Sequence, residues 1–216
     1  MTGEQRCYHH GNLRDALIVA TAELLEESGS LAFSITDAAR RAGVSNAAPY
    51  RHFRDKEDLL DNVRDLAFMG LHERLEETRR AHSGDAGSIE AITAMGHTYL
   101  GYVRDKQAFF SLMWEDHGQM EARRQNEQHK RDGFRLFVSA LESFFSCRAG
   151  GATTTPTAPS AITVATQLWA LAHGLATLEH NQMLDLFDKS ASADAMLDTS
   201  TRVLLAGWTL NNGLEG

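Results

Sequence analysis

The sequence predicts an all-α protein of about nine helices: an N-terminal three-helix helix-turn-helix unit followed by a larger helical domain. Three observations carry this expectation. Apolar residues recur at helical spacing along most of the chain. Only three prolines interrupt 216 residues. Residues 34–60 hold closely spaced helix start and stop signals around a glycine.

The elements follow in order. Leu13, Leu17, Ala20 and Leu24 stand at i, i+4, i+7 and i+11, marking a first helix that runs to Gly29. Ser34-x-x-Asp37 is a capping box opening the second helix, with Ala38, Ala39 and Ala42 as a small apolar face. Gly43 suits the positive φ that ends a helix. Ser45 then reads as the N-cap of a third helix about two turns long, which places Pro49 at its fourth position. Asp55, with Asp58 three residues on, caps a long fourth helix carrying Leu59, Val63, Leu66 and Leu75 towards Arg80. At 1.5 Å per residue it spans about 35 to 40 Å. The run Ser83 to Ser88 is a Gly-rich linker. Helices are expected over 88–104, 106–115 and 119–147. In the last of these, Phe134, Phe137, Val138, Leu141, Phe144 and Phe145 form an apolar stripe. Residues 148–160 form a Gly/Thr/Pro loop, and two helices close the chain, about 160–184 and 192–212. The domain boundary is drawn between 1–54 and 55–216. There is no internal repeat.

A helix, a short glycine-containing turn and a second helix make a helix-turn-helix, whose second helix enters the DNA major groove. Charge supports that use. The chain is acidic, with net charge -8 and pI near 5.7, so contact with nucleic acid requires a local basic patch. Between Ala38 and Arg54 stand Arg40, Arg41, Arg51 and Arg54, with His52 and no acidic residue. A solvated helix face also carries arginines; the coincidence of the basic run with the turn signature favours DNA.

The stretch resembles the DNA-binding domain of the TetR family of bacterial repressors, through Tyr50-Arg51-His52-Phe53 and Lys56-Glu57-Asp58-Leu59. The helix from His9-His10-Gly11-Asn12-Leu13-Arg14 to Gly29 and the following Phe33-x-Ile35 also match, so the motif resemblance covers roughly residues 8 to 60. Farther on, Trp169-x-x-x-His173-Gly174 is similar to a motif of one group of TetR C-terminal domains. The resemblance implies a non-enzymatic transcriptional regulator, acting as a repressor by family analogy. It implies that residues 55–216 bind a small-molecule effector and dimerise, pairing helices 160–184 and 192–212 across a four-helix interface. Apolar residues on more than one stripe of these helices, among them Ile162, Val164, Leu168, Leu175 and Val203, suit either a shared interface or a buried core. A two-fold dimer would set two reading helices about 34 Å apart, matching successive major grooves of an inverted repeat.

Roles follow residue by residue. Ser45, Asn46 and Ala47 begin the reading helix; Asn46 suits a bidentate contact to adenine, and the methyl of Ala47 or Ala48 suits thymine. Tyr50 and His52 suit phosphate, Arg51 phosphate or guanine, and Thr36 the backbone near the second helix. Lys56, at a helix N-terminus, suits phosphate. Arg6 suits either the minor groove or a disordered tail, and Phe53 the core. For the effector, Tyr102, Phe110, Trp114, Phe137, Trp169 and His173 are the candidate lining within a group that also includes Tyr99, Phe109, Met113, His117 and Met183. For any single one of these, ordinary bundle core is the preferred reading.

Other chemistries find little support. Among ten histidines, His173 and His180 share a face and His97 and His117 could approach, but no zinc-ligand spacing completes a site, so no metal and no cofactor are expected. There is no Gly-rich phosphate loop and no nucleophile elbow. Cys7 and Cys147 lie far apart, which suits a reducing cytoplasm. No apolar run approaches the ~20 residues of a membrane span, and an apolar signal core is missing from the N-terminus. A His-dependent helical enzyme and a ligand-independent architectural DNA-binding protein remain the rival classes.

Overall fold

The computed structural model describes residues 13–114, 120–148, 160–187 and 189–211. Regular structure among them is helical: α1 (Leu13–Ser28), α2 (Ile35–Arg41), a 3-10 turn (Pro49–Arg51), α3 (Lys56–Ala81), α4 (Ile89–Asp105), α5 (Gln107–Trp114), α6 (Met120–Arg148), α7 (Ala161–His180), α8 (Leu184–Phe187) and α9 (Ala193–Asn211). The N-terminal arm with Arg6, Cys7 and His9-His10, as well as His117 and most of the 148–160 loop, lie outside the described residues.

The small N-terminal unit closes on Leu17, Ala20, Ile35, Ala38, Ala42, Phe53 and Leu59. Its second helix starts as the capping box requires: Ser34 Oγ accepts from the Asp37 N–H at 3.2 Å, and the Ser34 N–H donates to Asp37 Oδ2 at 2.9 Å. It stops on a Schellman closure. Gly43, at φ 71°, donates to the Arg40 carbonyl at 3.1 Å, and Val44 donates to the Ala39 carbonyl at 3.0 Å.

The third helix differs from the sequence expectation. Ser45 caps no α-helix; its carbonyl accepts from the Ala48 N–H at 2.9 Å in a turn, and the chain enters only the three-residue 3-10 turn at Pro49. Proline has no N–H to give to an i→i−4 ladder, and its fixed φ suits the first position of a helix. Pro49 therefore begins the short helix rather than sitting at its fourth position, and it is buried.

The 26-residue α3 belongs to both parts. Leu59 completes the small core, whereas Leu60, Val63, Ala67, Phe68, Leu71 and Leu75 enter the large one. Ala22 and Leu25 of α1 join the large core too. The body wraps around α4, which touches α3, α5, α6, α7 and α9. Gly87 lets the α3–α4 loop lie against α6, since a Cβ there would come within 2.8 Å of the Ser143 carbonyl oxygen.

Helix α7 ends four residues before the expected 184. Asn181 caps it, Gln182 takes φ 56°, and the Met183 N–H closes on the Leu178 carbonyl at 2.8 Å. This non-glycine Schellman turn separates off the four-residue α8. Contrary to the sequence reading, α7 is long and apolar enough to cross a membrane by length and composition. Here it is a packed bundle helix that buries Val164, Ala165, Leu168, Ala172, Leu175 and Ala176.

Candidate nucleic-acid interface and interior cavity

The turn between α2 and α3 exposes Ser45, Asn46, Ala47, Tyr50, Arg51 and His52 together, with Tyr50 at 59% exposure. Thr36 is exposed at the start of α2, its hydroxyl 2.8 Å from that of Ser34. Most of the basic run is committed within the chain. Arg41 bonds Glu23 at 3.1 Å and pairs with Glu27, pinning α2 to α1. The Glu27 contact chiefly, with Glu23, raises the Arg41 pKa and holds the guanidinium charged. Arg40 pairs with Asp37, and Arg54 with Asp58 at 3.3 Å. Arg51 is the arginine of the run with no ion pair among the described residues. Lys56 turns back from the surface: Nζ donates to the Leu31 carbonyl at 3.0 Å and lies 4.4 Å from the Phe33 ring centre, bracing the loop before α2. Arg14 holds the other side, donating to Asn62 Oδ1 at 2.5 Å with its guanidinium 5.5 Å from the Phe53 ring centre.

Near the start of α3 a buried ion pair ties the reading unit to the body. Asp61 and Arg64 are 5% and 3% exposed and bond each other, and Arg64 Nε donates to the Leu112 carbonyl at 2.7 Å. Burial pushes the Asp61 carboxyl above the ordinary carboxylate range, opposed by Arg64. Leu112 lies two residues before Trp114, where α5 meets the interior cavity.

That cavity, of about 80 Å³, lies among six helices. Phe68, Leu71, His72 and Leu75 of α3 form one wall; Ile92, Met95, Gly96 and Tyr99 of α4 face it. Trp114 of α5, Gly133, Phe134 and Phe137 of α6, Leu168, Trp169 and Ala172 of α7, and Leu197 and Thr201 of α9 supply the remaining lining. Trp114 meets Phe68 edge-on at 5.7 Å and tilts against Trp169 at 5.6 Å.

Of the six residues proposed from sequence, Trp114, Phe137 and Trp169 reach the cavity, and the other three do not line it. His173 lies behind the wall. It stacks on Trp169 at 5.2 Å and 14°, meets Phe110 at 5.6 Å, and shares a 2.8 Å hydrogen bond between Nδ1 and the Tyr99 hydroxyl. Burial lowers the His173 pKa and keeps the ring neutral, while burial raises that of Tyr99. Phe110 packs between His173 and His180. Tyr102 donates its hydroxyl to the Ala67 carbonyl at 2.6 Å, linking α4 to α3. The α3 wall, His72 above all, is missing from the sequence-based candidates; Phe68, Leu71, His72 and Leu75 at i, i+3, i+4 and i+7 are its signal.

His97 stands apart from the other histidines: its two ring nitrogens lie 2.9 Å from Asp194 and 2.7 Å from Asp198, joining α4 to α9. Arg104 extends this surface network to Asp194 at 2.6 Å and to Glu179 at 2.8 Å.

A helix-turn-helix head carried on one long helix into a helical body with an apolar interior cavity defines a transcriptional regulator with a built-in ligand-binding domain. Residues 17–63 match the family described as bacterial regulatory proteins, tetR family, and residues 92–200 match the tetracyclin repressor-like C-terminal domain. The chain belongs to the TetR family. A Rhodococcus sp. RHA1 protein of unknown function superposes with TM-score 0.74 at 27% identity, over 94% of this chain and 98% of its own. The TetR family regulator PfmR of Thermus thermophilus superposes with TM-score 0.58 at 20% identity, over 88% and 97%. LfrR of Mycobacterium smegmatis, solved in complex with proflavine, shares the fold with TM-score 0.52 at 16% identity, over 90% and 95%. No curated protein matches the chain.

Proposed function

We propose that this protein is a cytoplasmic, homodimeric repressor that holds an inverted-repeat operator and lets go when a small effector enters the cavity. The observation that carries this reading is the continuity of α3. The helix that places Leu59 in the core of the reading head also supplies Phe68, Leu71, His72 and Leu75 to the cavity wall. A ligand that displaces that wall tilts or shifts the head. The DNA-competent state is lost by as much free energy as the ligand's preference for the shifted state.

In this reading Asn46 and Arg51 read base edges, Ala47 touches a thymine methyl, and Thr36, Ser45, Tyr50 and His52 position the head on phosphates. Lys56 braces the head from within and reaches phosphate only by leaving Leu31. With Pro49 starting a single 3-10 turn, few long side chains face the groove, so DNA shape supplies part of the specificity. Dimerisation uses α7 and α9, where Ile162, Met196 and Val203 are 56%, 40% and 66% exposed, an apolar outer face that a second copy would cover.

The test combines sedimentation with an operator gel shift. A dimer that binds one DNA site, releases it on addition of an effector, and loses DNA binding in Arg51→Ala supports the reading. A monomer at micromolar concentration contradicts the dimer. DNA binding that no ligand of the cavity alters favours a ligand-independent architectural protein instead.

A further inference from the structure

The chemistry of the cavity wall restricts what enters it. Among the described residues, none of those lining it is Asp, Glu, Lys or Arg. A charged ligand would shed its water without gaining a counter-ion, which is strongly unfavourable. Trp114, Trp169, Phe68, Phe134 and Phe137 instead offer ring edges and faces. Size restricts it further. The volume of about 80 Å³ is roughly half of the ~150 Å³ that admits a benzene ring in an apolar protein cavity. Two rings would need wholesale repacking, whereas one needs only that flexible walls give way. Met95 is such a wall, and so is Leu197, whose tip fills the notch left by Gly96: a Cβ there would lie 2.8 Å from Leu197 Cδ2.

The α3 wall carries an unsatisfied polar group. Among the described residues His72 Nδ1 is buried without a hydrogen-bond partner, an unfavourable state that a ligand hydroxyl would relieve. Among the described residues, His72 alone is shared between this cavity and the charged outer groove of about 910 Å³ lined by Glu26, Glu73, Arg74 and Lys106. Its ring thus partitions a polar vestibule from an apolar chamber.

We infer that the cavity takes an uncharged single-ring aromatic molecule bearing a hydroxyl, bound by widening the chamber and anchored at His72. This rests on the reading of the cavity as the effector site and names the ligand class for it. Widening acts on α3 directly, because His72 and its apolar neighbours on that helix form the wall that moves.

Calorimetric titration of the full chain with p-cresol, toluene, p-toluate and 4-methylbenzylammonium separates the possibilities. p-Cresol is expected to bind saturably. Toluene should bind about tenfold more weakly, the equivalent of one hydrogen bond, and the two ions should bind more weakly still. His72→Phe keeps a ring in the partition and should bring p-cresol down to the affinity of toluene. Ala172→Phe should abolish binding by filling the chamber; if that variant unfolds by circular dichroism, the His72→Phe ratio carries the test. Either ion binding as tightly as p-cresol overturns the inference, as does failure of both neutral probes to saturate at their solubility limits. An unchanged p-cresol to toluene ratio in His72→Phe overturns the anchor. Operator gel shift without any aromatic compound reports separately: lost DNA binding with aromatic binding intact refutes the regulator, and the reverse pattern refutes only the ligand class.

Discussion

Replacing Arg64 with Met should be among the most damaging single changes in the molecule. Arg64 and Asp61 are 3% and 5% exposed, so the pair has almost no access to water. Removing the guanidinium leaves the Asp61 carboxylate buried without its counter-ion and the Leu112 carbonyl without its 2.7 Å donor. Breaking a buried pair on one side costs about 3–5 kcal/mol, a large share of the roughly 5–15 kcal/mol that holds a typical domain together. The loss has a pH signature. Burial already raises the Asp61 pKa in the folded state, and removing Arg64 raises it further. Between the unfolded and folded pKa values the folded state then binds more protons, so the variant's stability falls as pH rises through that window. Urea unfolding followed by circular dichroism, at fixed protein concentration because assembly contributes, measures both effects. Asp61→Leu combined with Arg64→Met should recover most of the loss, leaving about 1 kcal/mol for the carbonyl. A single variant losing less than about 1 kcal/mol, or a double variant no better than the single, would refute the claim that this pair is a buried strut.

Three further outcomes follow from the same geometry. Gly43→Ala should cost about 1–2 kcal/mol through backbone strain alone, because its φ is 71° and an added Cβ meets nothing within 4 Å; an unchanged thermal midpoint would contradict the Schellman closure. Arg51→Ala should weaken operator binding by about 1–3 kcal/mol and lower the salt dependence by about one ion, and an unaltered gel-shift titration would remove Arg51 from the interface. Burial keeps His173 neutral in the folded state, so below about pH 6.5 the unfolded chain binds the extra proton and stability rises with pH through that window. His173→Gln should flatten that slope in melts across the acid range, and an identical slope would show that another group is responsible.

Local signals are legible in the sequence where the backbone itself sets the outcome. The Ser34–Asp37 box, the Gly43 stop and the Asp55 cap are decided by a few neighbouring atoms, and each appears in the structure. The reading turn is harder, because Ser45 offers an N-cap while Pro49, four residues on, cannot take part in an α-helical ladder. The proline prevails and leaves a 3-10 turn. Lys56 shows a different limit. Its position at a helix N-terminus suits phosphate, yet the Leu31 carbonyl and the Phe33 ring, 25 and 23 residues upstream, engage it first. The cavity is legible only in part. Trp114, Phe137 and Trp169 are aromatic and easily suspected, whereas Phe68, Leu71 and Leu75 have the spacing of any core stripe. Whether such a stripe packs tightly or borders a void depends on the separation of six helices. His173 shares a helix face with Trp169, yet one turn farther along it is already behind the wall.

In the proposed function, α3 couples an effector cavity to a DNA-reading head presented twice. This coupling is tested most directly by hydroxyl-radical footprinting on DNA enriched from a random pool, with and without a cavity ligand. Two protected half-sites are expected in inverted repeat, about 34–36 Å or a multiple of that apart, both lost together when the cavity is filled. Protection of a lone half-site, or a footprint that a bound cavity ligand leaves unchanged, would contradict the proposed function.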